Sequence, residues 1–292
     1  MANTLAFKQS LHNVAVLCKW RVVTLMLITA FVGMMLTPDQ YWRLPNILFG
    51  LLGICFLSCA GGAINQILEH HIDKNMLRTK NRPLASKRIS IEQACFISTA
   101  CLIFGMLCLY LFTNPLTLAL TLFATIGYGF IYTKILKPNT SQNIVIGGIF
   151  GAMPPLLGWT ALTNSLHPHP ILLVLIIFIW TPSHFWSLSL ARIDDYRNST
   201  IPMLPITHGV RCTQIHIMAY SLLLTLATQL PYLLTFQSTF YLIAINTTNL
   251  WFLTAMYRTY LSSDPRVCMQ AFKISNVYLL IFFLTTLTDH FL

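Results

Sequence analysis

Charge is what this sequence has least of. Only 9% of its 292 residues are charged, where a soluble domain carries roughly 25%. So few charges cannot solvate a globular surface, which excludes a soluble fold. Carboxylates are scarcer still, eight against 18 Lys and Arg. The eight cysteines are Cys18, Cys55, Cys59, Cys95, Cys101, Cys108, Cys212 and Cys268. None forms a CxxC pair, and most sit in apolar runs where a thiol is a small hydrophobe. The reading is no disulfide and no zinc site. No cleavable leader is expected either. Met1 to Trp20 has no clean apolar core followed by a small-residue cleavage site, and Lys8 is its only basic residue before Lys19. A bacterial plasma (inner) membrane is the expected location.

What the chain does have is apolar residue in long blocks, 55% of the whole. Nine segments can be drawn, at about 20–37, 46–68, 92–113, 116–135, 144–163, 171–190, 215–234, 239–257 and 272–288. Most approach the roughly 20 residues that a spanning helix needs. Helices are the open-ended structure that satisfies its own backbone in lipid. The expected fold is therefore all-α, a polytopic bundle of nine transmembrane helices in one domain, 1–292.

Basic residues orient the bundle. With nine spans, Lys8, Lys19, Arg21, Lys74, Arg78, Lys80, Arg82, Lys87 and Arg88 fall on one side. Lys134, Lys137, Arg192, Arg197, Arg211, Arg258, Arg266 and Lys273 fall there too, and only Arg43 lies opposite. Cytoplasmic loops are enriched in Lys and Arg, so the N-terminus is expected inside. The net charge of +10 is then mostly topology, not a nucleic-acid surface.

Four of the eight acids form two clusters, Glu69 with Asp73 and Asp194 with Asp195. In the first, Asn65, Glu69 and Asp73 recur every four residues. At 100° per residue each step drifts only about 40° round a helix, so the three share a face. Oxygen ligands on one face suit Mg²⁺, which bridges to phosphates through few carboxylates. Arg78, Lys80 and Arg82 follow at once, and carboxylates beside Arg and Lys make a diphosphate clamp. A solvated helix end and topology lysines are the bland alternative.

Asn65-x3-Glu69-x3-Asp73 followed by Arg78-Thr79-Lys80-Asn81-Arg82-Pro83-Leu84 resembles the first motif of the UbiA prenyltransferases, most closely their heme-farnesylating branch. Similar stretches are Tyr132-Thr133-Lys134, Gln142-Asn143 through Gly148, and Gly151 through Trp159. Others are Trp180-Thr181-Pro182-x-His184-Phe185-Trp186, Asp194-Asp195-Tyr196, Ile201 through Pro205, and His208-Gly209. They cover residues 19–209, and the last three helices match only in hydropathy. Glu69 stands where many members have Asp, Trp20 replaces a helix-opening proline, and Arg197-Asn198-Ser199-Thr200 replaces a small pair.

The resemblance implies farnesyl diphosphate and protoheme IX as substrates, Mg²⁺ as cofactor, and heme O as product. Heme A synthase or terminal oxidase assembly are the partners it suggests. It implies Asn65, Glu69, Asp73, Asp194 and Asp195 as metal ligands, with Asn65, Asp73, Asp194, Asp195 and His184 in catalysis. Arg21, Arg78, Lys80, Arg82, Lys134 and Tyr132 are the implied diphosphate ligands, with Lys19 beside Arg21.

His184 lies inside the sixth segment, where a polar residue is a functional candidate. It reads either as a contact to the acceptor or as a histidine satisfied by a neighbouring helix. Trp180, Phe185 and Trp186 read as an apolar wall or as plain packing. Gly147, Gly148 and Gly151 read as close helix contacts. His70 and His71, adjacent on a helix, are expected to point apart. Two rival functions are a UbiA-type enzyme with another aromatic acceptor, and a secondary transporter. A transporter would carry ionisable groups near the midplane, whereas these acids sit at one membrane face.

Overall fold

The computed structural model describes residues 2–74, 76–77, 79–199 and 201–292, with side chains from Lys8 onward. Every regular element among them is helical. Each of the nine expected segments falls on a helix. Seven helices are long and apolar enough to cross a membrane: Leu44–Asp73, Ile91–Phe112, Pro115–Asn139, Asn143–Thr163, Pro168–Ala191, Gly209–Leu233 and Pro265–His290. An eighth candidate is the pair Lys8–Leu17 and Trp20–Met35, bent by 61° at its break. The helix Thr239–Leu261 contains the polar run Asn246-Thr247-Thr248-Asn249 and is not among the seven. Arg78 and Asn75, part of the expected basic motif, lie outside the described residues, as does Thr200.

The chain divides into two compact units, residues 1–138 with 157–165, and residues 139–156 with 166–292. The first unit is organised around Leu44–Asp73, a helix that begins with a proline in its first turn. Ser90 and Gln93 form a reciprocal capping box that starts Ile91–Phe112. Asn114 caps Thr117, and Pro115 opens the next helix. Lipid supplies no hydrophobic drive between helices, so small residues must let backbones meet. Gly158 is the extreme case: a Cβ there would lie 1.9 Å from the Ala30 carbonyl oxygen. Polar groups are satisfied internally, as lipid demands. Asn114 Nδ2 donates to the Thr160 carbonyl at 2.7 Å, and Thr117 Oγ1 donates to Thr160 Oγ1 at 2.9 Å.

The second unit packs around Pro168–Ala191, most of whose side chains are buried. Asn143–Ala152 approaches it through Gly148, where a Cβ would stand 3.2 Å from Thr181 Cγ2. Gly151, read as a similar contact, has nothing within 4 Å. Asp289 closes the far end of this unit. Its carboxylate accepts from the Ser238 N–H at 2.7 Å and the Tyr241 N–H at 3.1 Å, capping Thr239–Leu261.

Candidate active site

The helix Leu44–Asp73 ends in the first acidic cluster. Asn65, Glu69 and Asp73 share one face, and all three are buried at 2%, 4% and 3% exposure. A helix end dissolved in water would not look like this. Buried carboxylates need cations, and the loop that follows brings one back. Leu84 and Ile89 pack against Leu17, Ala63 and Ala94, which returns the chain over the helix. Arg82 Nη1 then meets Asp73 Oδ1 at 2.9 Å and Oδ2 at 2.7 Å, and lies 3.7 Å from Glu69 Oε2. Thr79 Oγ1 ties the start of the loop to the Asp73 carbonyl at 3.1 Å.

Two lysines complete the cluster from other elements. Lys137 Nζ donates to Glu69 Oε1 at 2.5 Å. Lys19 donates to Asn65 Oδ1 and, at 2.6 Å, to Tyr128 Oη. Lys19 sits at the 61° bend in a left-handed conformation, φ 54°, costly for a residue with a Cβ. The bend is seated on Gly62, where an added Cβ would be 3.0 Å from the Cys18 carbonyl oxygen. Gln66 Nε2 also grips it, donating to the carbonyls of Val16 at 2.8 Å and Leu17 at 3.0 Å.

A wide-turned helix supplies Lys137. Gly127–Leu136 is π-helical, and Lys137 N–H reaches back five residues to the Tyr132 carbonyl. Thr133 Oγ1 likewise reaches the Tyr128 carbonyl at 3.0 Å while accepting from Asn65 Nδ2 at 2.8 Å. Such stretches recur at functional sites. Tyr132 stacks on Tyr128, ring centroids 5.8 Å apart. Lys134 is exposed, as is Lys80. Arg21 is exposed as well, its guanidinium over the Trp20 ring. Of the basic residues expected here, the structure therefore brings Arg82 onto the acids and Lys19 onto Asn65, and adds Lys137 on Glu69. No motif or spacing pointed to Lys137, which lies 68 residues from Glu69 in sequence. His70 and His71 do not point apart. Their ring centroids are 3.7 Å apart, with His70 Nδ1 on the Ile67 carbonyl at 2.7 Å. Rings on neighbouring positions at a helix end can lean together where nothing packs between them.

In the second unit the short helix Ile193–Arg197 carries the other acids. Asp194 faces solvent and pairs with Arg197 at 3.0 Å. Asp195 is buried, and its Oδ2 has no hydrogen-bond partner among the described residues. A buried, unsatisfied carboxylate oxygen is expensive unless something is to occupy it. Deeper in the unit, His184 is stacked on Trp180 at 4.2 Å between ring centroids, with Phe272 at 4.5 Å and Phe185 edge-on at 5.1 Å. Trp186 is fully buried and turns instead to His216 and Tyr220, so it leaves the expected wall and serves packing.

Among the described residues no three His, Cys, Asp or Glu side chains form a ready-made metal cage. Mg²⁺ does not need one, since it takes one or two carboxylates, phosphate oxygens and water. The hard oxygen donors of the first cluster suit such an ion, and within the second unit the orphaned Asp195 oxygen is a donor of the same kind. Soft or borderline metals would want sulfur or imidazole. Two of the oxygens, Glu69 Oε1 and Asn65 Oδ1, are held by ammonium groups, which occupy the place a cation would take.

Comparisons with known proteins identify the family. The UbiA prenyltransferase family profile matches residues 26–284. "Protoheme IX farnesyltransferase 2" of Pseudoalteromonas atlantica is 45% identical over 274 residues, covering 94% of this chain and 90% of that protein. "Protoheme IX farnesyltransferase" of Legionella pneumophila is 45% identical over 275 residues, covering 94% of each. Among solved structures, digeranylgeranylglyceryl phosphate synthase superposes with a TM-score of 0.79 at 19% identity, covering 97% of this chain and 99% of that one. A UbiA homolog from Archaeoglobus fulgidus bound to GPP and Mg²⁺ gives 0.62 at 15% identity, covering 94% and 99%. At these identities the structural likeness concerns the fold. With the apolar helices, the matches mark a multi-pass membrane protein.

Proposed function

Because this chain belongs to the UbiA prenyltransferase family, we propose that it transfers a farnesyl group from farnesyl diphosphate to a vinyl group of protoheme IX, with addition of water, giving heme O and diphosphate. The observation that carries this reading is identity of 45% to protoheme IX farnesyltransferases, sustained over 94% of the chain. The family profile runs on to residue 284, into the last three helices, where motifs were silent. Another aromatic acceptor has no comparable support.

The proposed metal ligands are Asn65, Glu69, Asp73, Asp194 and Asp195. Mg²⁺ held by them would neutralise the diphosphate and ease its departure. The chain's own part begins with Arg82, Lys137 and Lys19. Before substrate arrives they are paired with acid and amide oxygens, and these cations serve to hold the departing diphosphate. Such stabilisation of a leaving group supplies the main electrostatic effect, and holding donor and acceptor together supplies the rest. No side-chain nucleophile is required, because an allylic cation is reactive enough to be attacked by the vinyl carbon. The positive charge that follows rests beside the porphyrin ring, and water captures it. Arg78, Lys80, Arg21, Lys134 and Tyr132 are kept as further candidates for the diphosphate, and His184 for the porphyrin.

The chain is proposed to act as one domain with nine spans in a bacterial inner membrane, its N-terminus and both acidic motifs on the cytoplasmic side. The product would pass to heme A synthase or to oxidase assembly. The test offers the purified protein farnesyl diphosphate with protoheme IX or with a hydroxybenzoate and weighs the products by mass. Heme O alone is expected, and prenylated hydroxybenzoate alone would overturn the acceptor. Asp73→Asn is expected to lower turnover by on the order of 10²–10³-fold, counted per natively folded molecule. Near-normal turnover would refute the clamp.

A further inference from the structure

His184 Nδ1 lies 2.7 Å from Ser275 Oγ, and Ser275 Oγ lies 2.7 Å from the Phe272 carbonyl oxygen. A hydroxyl carries one hydrogen. Two oxygens at 2.7 Å need that hydrogen between them, because bare lone pairs would repel. Ser275 therefore donates to Phe272 and can only accept from His184, so Nδ1 carries the proton. No carboxylate contacts the ring among the described residues, and its neighbours Trp180, Phe185 and Phe272 are aromatic. A neutral imidazole is the form that such surroundings hold. Its one remaining nitrogen, Nε2, is left as a bare lone pair.

Ser275 is itself clasped. Its carbonyl accepts from Trp180 Nε1 at 2.9 Å, and its side chain is fully buried. Trp180 and His184 are four residues apart on Pro168–Ala191 and stack on each other, and both dock on this single residue of Pro265–His290. The ring is thus fixed in its plane by stacking and in its tautomer by Ser275.

We propose that Ser275 is a positioning residue that locks His184 in the Nδ1–H tautomer, so that Nε2 meets the acceptor substrate as a lone-pair donor toward a metalloporphyrin. This rests on the reading that the acceptor is protoheme IX. A hydrogen-bond partner on the nitrogen of a histidine that does not face the metal sets tautomer and basicity, and its loss lowers metal affinity by roughly 10–100-fold.

The full-length protein, reconstituted in lipid nanodiscs with ¹⁵N-labelled histidine, reports the tautomer directly. The His184 signals are those lost in His184→Gln. Pyrrole-type Nδ1 and pyridine-type Nε2 shifts are expected in the wild type and in Ser275→Thr, and averaged shifts in Ser275→Ala. Ferric protoheme IX, titrated by its Soret band, should bind Ser275→Ala on the order of 10-fold more weakly and Ser275→Thr nearly as well as the wild type. An unchanged tautomer in Ser275→Ala overturns the proposal. Equal heme affinity in the wild type and His184→Gln removes the reading on which it rests. Weakened binding in His184→Gln with none in Ser275→Ala overturns the role of Ser275 alone.

Discussion

Exchanging Lys137 for methionine should destabilise the protein by about 3 kcal/mol. Glu69 is buried and has two cations, Lys137 at 2.5 Å and Arg82 at 3.7 Å. At an effective dielectric of about 20, the nearer contact has a gross attraction of roughly 6–7 kcal/mol and the farther roughly 4–5. Desolvation cancels much of both, and removing one partner of a buried pair costs a net of about 3–5 kcal/mol. Arg82 stays behind, which puts Lys137→Met near the low end. Glu69→Gln strands the Lys137 ammonium and should cost a similar amount. The double variant strands neither charge, so its loss should fall short of the sum by about 2 kcal/mol. Unfolding of the reconstituted protein by added denaturing detergent, followed by protease susceptibility, gives the three differences. Losses that add to within about 0.5 kcal/mol would refute the coupling and with it the description of this cluster. The double variant should be folded yet slow, because the cation assigned to the diphosphate is gone.

Reporter fusions after residues 82 and 197 should both read cytoplasmic and a fusion near residue 289 external; opposite readings for 82 and 197 would make a shared active site impossible. Turnover in ¹⁸O water should place one heavy oxygen in the product alcohol, and an unlabelled alcohol would rule out capture of the cation by water. Gly158→Val should abolish the native fold or cost about 4 kcal/mol or more, since even a Cβ would overlap the Ala30 carbonyl; wild-type thermal stability in that variant would disprove the close approach.

Much of this was legible in the sequence for a physical reason: lipid leaves few choices. Each apolar run had to be a helix, and the four-residue spacing of Asn65, Glu69 and Asp73 put them on one face wherever the helix ended. Burial of those residues was not legible. It comes from Arg82, folded back by the packing of Leu84 and Ile89, and from Lys137, which lies 68 residues away in sequence from Glu69. Lys134 was expected near the diphosphate from its motif, and it is exposed on the helix that turns Lys137 toward Glu69. Ser275 was invisible for a different reason. A serine in a hydrophobic helix normally bonds its own backbone, as this one does with Phe272, and only its neighbour across the unit gives it a second task. The second acidic motif was read as a pair, but the fold splits it, with Asp194 in solvent and Asp195 buried.

The π-helical turns of Gly127–Leu136 also say something about how such a site can change over generations. A helix that swallows one extra residue bulges locally and leaves its two ends in register. Within that bulge, however, side chains move to new bearings, which is how Thr133 faces Asn65 and Lys137 faces Glu69. A lineage can therefore redraw the polar lining of this cluster by a single-codon insertion or loss, without renegotiating any of the close glycine contacts elsewhere in the membrane. Length differences between relatives at this helix are then to be expected as changes in chemistry, whereas length differences in the loops outside it are changes in reach.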